Sequence, residues 1–224
     1  MFVFMKEPNR ERKIKTEPKL KVELSEQQKQ VPTNFYNYDI SFVVGKWGSG
    51  KSLSAIHTAI TAKRKYGYDK IFITKPVVKN NLGILPGNID DKLSPYMYCV
   101  IQNFEICQGK EVTEKELADG KIDIIPVETA KGMTFVNSIV IIDEFEDFDK
   151  QDFITMLTRL GKDSKMILCG SKQQIDRSMS KTTCYPIVEA LAESGLVGYV
   201  ELEANFRNES LKPIMDYLES KNLI

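Results

Sequence analysis

The sequence predicts an α/β protein, a mainly parallel sheet flanked by helices. Three observations predict it. Strands alternate with helices along most of the chain, the order that builds parallel β-α-β units. Ser138 to Ile142 is apolar almost throughout, as a strand covered on both faces must be. Ile40-Ser41-Phe42-Val43-Val44 runs through a glycine-rich turn into Lys51 to Tyr66, where Leu53, Ile56 and Ile60 recur at helical spacing.

The elements follow in order. Residues 1–27 read as a polar N-terminal arm, with Leu20, Val22 and Leu24 alternating like a short strand. Residues 28–224 read as a single domain. After the first strand and helix, Lys70 to Thr74 is a second strand. Leu82 to Pro95 is rich in Gly, Pro and Asn and reads as a loop. Tyr96 to Cys107 is a helix, Glu111 to Gly120 is polar and unassigned, and Ile122 to Val127 is a short strand. A helix at Gln151 to Leu160 and a strand at Lys165 to Cys169 follow Ser138 to Ile142. A helix at Pro186 to Glu193, a strand at Gly198 to Leu202 and a helix at Leu211 to Leu218 finish the chain.

Composition narrows the function. The 224 residues are 42% hydrophobic and 28% charged, which is ordinary globular usage. Lys plus Arg and Asp plus Glu number 31 each, which argues against a strongly basic nucleic-acid binder and an acidic disordered chain. The balance is uneven: residues 1–38 carry eight basic against five acidic groups, and residues 39–224 carry 23 against 26. No apolar run has the length of a membrane span. The four cysteines form no C-x-x-C pair and read as thiols of a reducing cytosol, so a cytoplasmic location is expected.

Gly45-Lys46-Trp47-Gly48-Ser49-Gly50-Lys51-Ser52 fits G-x-x-x-x-G-K-[ST] in full, between a strand and a helix as that motif requires. Glycines let successive N–H groups turn toward phosphate oxygens, and the helix N-terminus adds a favourable dipole. Lys51 is placed to reach the β- and γ-phosphates of ATP, and the Ser52 hydroxyl to ligate Mg²⁺. The bland alternative is a glycine turn capping a helix. A second element supports the motif: the strand Ile139 to Ile142 ends in Asp143 and Glu144. Asp143 is the expected Mg²⁺-side residue and Glu144 the expected general base, although alone such a pair reads as a helix cap. A third strand, Met166 to Gly170, runs into Ser171-Lys172-Gln173-Gln174, where Gln174, or failing it Gln173, is the candidate sensor of the γ-phosphate or attacking water.

These elements, in this order, resemble the PhoH-like family of P-loop ATPases. Ile71 to Val78 is similar to the family's strand followed by R-P-A-V, and Leu82-Gly83-Ile84-Leu85-Pro86-Gly87 to its L-G-F-L-P-G. Lys92 with Pro95-Tyr96, Pro126 with Lys131-Gly132-Met133-Thr134, and Leu157-Thr158-Arg159-Leu160-Gly161 resemble further family stretches, as do Ser164-Lys165-Met166 and Gln174-Ile175-Asp176. Gln28 stands where the family carries a glutamine upstream of the loop, which marks it as a nucleotide-site residue. The likeness covers roughly residues 28–216. Lys46-Trp47 replaces the family's P-A, Glu146-Asp147 replaces Q-N, Ser171 replaces an Asp, and Lys75 and Lys131 replace arginines. Ser171 removes a carboxylate near the metal side, and the two lysines keep charge but lose the guanidinium fork.

The resemblance implies a RecA-like core, similar to one half of a superfamily 1 helicase. It implies hydrolysis of ATP with Mg²⁺, engagement of single-stranded RNA or DNA, and assembly into a homo-oligomer such as a ring. Arg159 and Arg207 match family arginines and are the candidate cations for the transferring phosphate; an internal salt bridge is the competing reading of each. Lys75, Lys79 and Lys131 lie in loops expected at the carboxyl edge of the sheet, where they could meet nucleic-acid phosphates or be merely solvated. Trp47 could stack on a base. His57, the one histidine, has no second base near it in sequence and reads as structural. A small-molecule kinase, a nucleotide-binding module with weak hydrolysis and a packaging motor stay open as alternatives.

Overall fold

A computed structural model describes residues 20–76, 89–171, 183–203 and 211–221. Among these, one parallel sheet of six strands runs in the order β3-β2-β4-β5-β1-β6. The strands are β1 Ile40–Gly45, β2 Lys70–Lys75, β3 Ile122–Pro126, β4 Ser138–Asp143, β5 Lys165–Gly170 and β6 Gly198–Leu202. Parallel neighbours need crossovers, and helices supply them on both faces.

One face is covered by α1 (Gln30–Asn37), α2 (Lys51–Tyr66) and α3 (Ile89–Gln108). Val31 and Phe35 of α1, Ile56 and Ile60 of α2 and Phe104 of α3 close over Val43, Ile73, Ile141 and Ile167 there. The other face is covered by α5 (Val127–Ala130), α6 (Lys150–Leu157) and α7 (Tyr185–Ser194), with Phe42, Val140, Leu168, Phe145 and Phe153 at its centre. Alternate strand residues therefore feed two cores, which explains why β4 is apolar at nearly every position.

Several expectations are corrected. Leu20 to Leu24 forms no strand; Leu20 and Val22 pack against the α2–α3 core, and Lys21 N–H donates to the Cys107 carbonyl at 2.9 Å. The polar stretch after Cys107 is helical, as α4 (Lys110–Ala118), because its docking is polar. Gln108 Nε2 donates to Glu116 Oε2 at 2.9 Å, Arg64 donates to Gln108 Oε1 at 3.0 Å, and Lys63 pairs with Glu116. Helix α3 starts at Ile89, inside the expected loop, while 82–88 lie outside the described residues. The helix expected to reach Leu160 stops at Leu157, where the chain turns to pair Phe135 with Leu160. The final helix, α8, spans Leu211–Ser220.

Candidate nucleotide site

The site lies at the carboxyl edge of the sheet, where parallel α/β folds present their loops. β5 separates β1 from β4, so the loop after β1 and the acids after β4 stand two strand spacings apart, about 10 Å. Closing that gap takes a loop that curls back over the sheet. Gly48 (φ 75°) and Gly50 (φ 79°) make the curl in the left-handed region, and Gly50 starts α2. Ser49 Oγ donates to the Lys46 carbonyl at 2.8 Å and holds the turn.

The curl delivers Ser52 to Asp143: its hydroxyl donates to Asp143 Oδ1 at 2.8 Å. Burial pushes the Asp143 carboxyl above the usual carboxylate range, and the Ser52 hydrogen bond works against that shift, with Glu144 adding to it and Lys75 and Lys51 opposing it. Lys51 lies back over the loop, where Nζ donates to the carbonyls of Gly45 (2.8 Å) and Lys46 (3.0 Å). Glu144 is next to Asp143 in a left-handed backbone conformation, φ 57°, uncommon outside glycine. Its carboxylate pairs with Lys75 Nζ at 2.6 Å.

Gln28 is buried under the loop. Its Nε2 donates to the Ser49 carbonyl at 3.1 Å, and its Oε1 accepts from Ser25 N–H at 3.0 Å. A Cβ on Gly50 would stand 2.3 Å from that Nε2. The residues before the domain's first helix thus brace the loop from outside.

The model of PhoH-like proteins matches residues 21–219. The chain belongs to the PhoH family. It is 34% identical over 140 residues to the PhoH-like protein of Bacillus subtilis (strain 168), covering 62% of this chain and 44% of the relative. It is 31% identical over 173 residues to Protein PhoH of Escherichia coli (strain K12), covering 71% and 46%. The chain therefore spans less than half the length of these relatives. Its fold is similar to that of the large terminase from a thermophilic bacteriophage (TM-score 0.56, 11% identity, 88% of this chain and 50% of that one). It is also similar to the UvsW helicase from bacteriophage T4 (TM-score 0.51, 13% identity, 88% and 64%). At these identities the likeness shows the fold alone, a RecA-like P-loop core.

By the resemblance read from the sequence, Glu146 stands where a Gln is expected and Ser171 where an Asp is expected. Sequence reasoning noted both and gave Glu146 no role. The structure puts the buried Glu146 carboxyl against the end of β5: a Cβ on Gly170 would lie 2.6 Å from Oε2, so glycine is what lets it in. The Ser171 backbone N–H reaches the same carboxyl. A carboxyl thus stands beside Ser171 although Ser171 carries none. Burial pushes it up to about 8. Among the described residues, none hydrogen-bonds the buried Glu146 Oε2, Ser171 Oγ or Tyr185 hydroxyl.

The remaining candidates are dispersed. Arg159 is not brought to the P-loop of this PhoH chain. Its guanidinium bonds the Thr155 carbonyl (3.3 Å) and Thr158 Oγ1 (3.1 Å), and its carbonyl accepts from Phe135 N–H, in the segment that enters β4 at the opposite edge. Lys131 pairs with Asp152 at 2.9 Å. Gln173, Gln174, Arg207 and Lys79 lie outside the described residues. Trp47 is half-buried in the loop and Lys46 is exposed. His57 bonds the Val22 backbone, and burial lowers its pKa.

Among the described residues no helix is long and apolar enough to cross a membrane, and no three His, Cys, Asp or Glu side chains cluster to hold a metal ion.

Proposed function

We propose that this PhoH-family chain binds ATP with Mg²⁺ and hydrolyses it. The observation that carries the reading is the Ser52–Asp143 hydrogen bond, which joins the two motifs over a separation of 91 residues. A hydroxyl and a carboxylate converging on one point are a hard-oxygen donor pair that suits Mg²⁺, a cation that keeps waters and shares phosphate oxygens. Ser52 and Asp143 would hold it, and bound there it would neutralise charge developing on the phosphates.

The chain's own groups supply the rest. Gly48 to Ser52 offer backbone N–H groups and a helix N-terminus to the phosphates. Lys51 exchanges its loop carbonyls for phosphate oxygens. Glu144 takes the proton of the attacking water. Gln174 senses the γ-phosphate. Arg207, or Arg159 of a neighbouring copy, supplies the cation, since Arg159 lies too far across its own sheet; that requirement favours a homo-oligomer. Lys75, Lys79 and Lys131 contact a single strand of RNA or DNA at the carboxyl edge, with Trp47 beside them.

Multiple-turnover phosphate release without an added acceptor tests the ATPase reading against a small-molecule kinase. The same assay with single-stranded RNA or DNA, beside a salt-dependent gel shift, tests the coupling. Phosphate release in the absence of an acceptor supports the reading; transfer to an added acceptor with none to water overturns it.

A further inference from the structure

The proposed general base is held by a residue expected to touch nucleic acid. Lys75 ends β2, and Glu144 follows the last residue of β4. These strands are neighbours, with Thr74 opposite Ile142, so the two side chains leave the same edge side by side. Their 2.6 Å ion pair engages Glu144 Oε1 and so orients the carboxylate toward Lys75 and lowers its basicity toward a water. Lys75 is 25% exposed and Glu144 42%, so the pair faces solvent on one side. An ion pair that open is weak and yields to a competing anion.

The backbone after Glu144 is tied into a hydrogen-bonded turn. Asp147 N–H donates to the Glu144 carbonyl at 3.1 Å and Phe148 N–H to the Phe145 carbonyl at 3.1 Å, closing the turn Phe145–Asp147. Phe145 is fully buried between Phe42, Phe153 and Tyr185. Burial works against the charge of Lys75, but Glu144 and then Asp143 outweigh it and raise its pKa. Its ammonium therefore stays charged and attractive to phosphate.

We propose that Lys75 couples strand binding to hydrolysis: it holds the Glu144 carboxylate until a backbone phosphate of single-stranded nucleic acid draws its ammonium away. Lys75 is thus a positioning residue, and no bond is made or broken by it. The inference rests on the ATPase reading and adds to it a reason for low turnover in the absence of a strand. An ammonium suits a releasable hold better than a guanidinium, whose fork would grip the carboxylate at two points.

The test compares the wild-type chain with Lys75→Met and Lys75→Arg. ATP turnover is measured with and without a 20-mer of oligo-U or oligo-dT, and oligonucleotide affinity is measured across salt. The oligo-U and oligo-dT arms show whether RNA, DNA or both release the base. The wild type is expected to be stimulated about 100-fold, the low end of what a positioned base supplies. Lys75→Met is expected to turn over faster than wild type without a strand, to lose the stimulation, and to keep its KM for ATP. Its slope of log affinity against log salt is expected to fall by about 1, the loss of one phosphate contact. Lys75→Arg keeps the pair and responds only in part, which separates charge coupling from a folding defect in the Met variant. Lys75→Met with lowered strand-free turnover, or with wild-type stimulation, overturns the inference. Wild-type turnover that depends on Lys51 but ignores both oligonucleotides overturns it and leaves the ATPase reading standing. Absence of any Lys51-dependent turnover removes both.

Discussion

Ser52 and Asp143 touch at 2.8 Å although β5 stands between β4, which ends in Asp143, and β1, whose following loop leads to Ser52. One is placed by a glycine-driven curl and the other by the end of a fully buried strand. Their meeting is what turns two separate motifs into one site. Ser52→Ala removes a metal-side oxygen and the hydrogen bond to Asp143. It is expected to raise the Mg²⁺ concentration needed for half-maximal phosphate release by about 10-fold or more, with Ser52→Thr near wild type. A Mg²⁺ titration of turnover in the three chains checks this.

Gln28 braces the P-loop through its bonds to the Ser49 carbonyl and the Ser25 N–H. Gln28→Ala would leave the Ser25 N–H and Ser49 carbonyl unpaired in a buried place, a cost of about 1–3 kcal/mol. Thermal unfolding should fall by several degrees and the stabilisation conferred by ATP should shrink, with kcat less affected than KM. If the only change is a weaker preference for ATP over GTP, the amide serves the base instead.

Glu146 makes stability depend on pH. Its folded-state pKa, about 8, is above the 4.5 of the exposed group, so the folded chain holds the extra proton between those values. Stability from this group is full below pH 4.5 and is lost as pH rises toward 8 and beyond. Glu146→Gln replaces the carboxyl with a neutral amide of similar shape and removes the dependence. Its thermal midpoint should exceed wild type by roughly 5 °C or more at about pH 8.5, and the gap should close toward about pH 5. Equal midpoints at the alkaline end would show the carboxylate to be solvated there.

His57 gives the opposite sign. Burial lowers its pKa below 6.5, so the unfolded or opened form binds the proton more readily. The packing around His57 is therefore complete above pH 6.5 and weakens as pH falls below it, because burial disfavours the charged ring more than the Val22 bond favours it. Amide exchange around Val22 should accelerate from about pH 7.5 to about pH 5.5 beyond its intrinsic pH trend, and this excess should vanish in His57→Gln.

Much of the fold was legible. The β1–α2 unit and β4 match the residue pattern because each obeys one rule, burial on both faces or a helical stripe on one. Helix α4 was not legible because its anchor is polar, Glu116 held by Gln108 and Lys63. Helix α1 was not legible because eight residues with two apolar anchors, Val31 and Phe35, give too short a period. At the site, Lys51, Ser52, Asp143 and Glu144 were legible from motif chemistry. The Lys75–Glu144 pair was not, because strand order is absent from local pattern and only the adjacency of β2 and β4 brings the two together. The Glu146 carboxyl against Gly170 was hidden for the same reason, being a contact between the turn after β4 and the end of β5.

The central claim is that this P-loop, with its paired acids, hydrolyses ATP. Phosphate release with Mg²⁺ by the wild-type chain, set beside Lys51→Ala and Glu144→Gln at matched concentration, tests it most directly. The account predicts steady release by the wild type, loss of both binding and release in Lys51→Ala, and ATP retained with release reduced about 100-fold in Glu144→Gln. Wild-type release that both variants reproduce in full would contradict it.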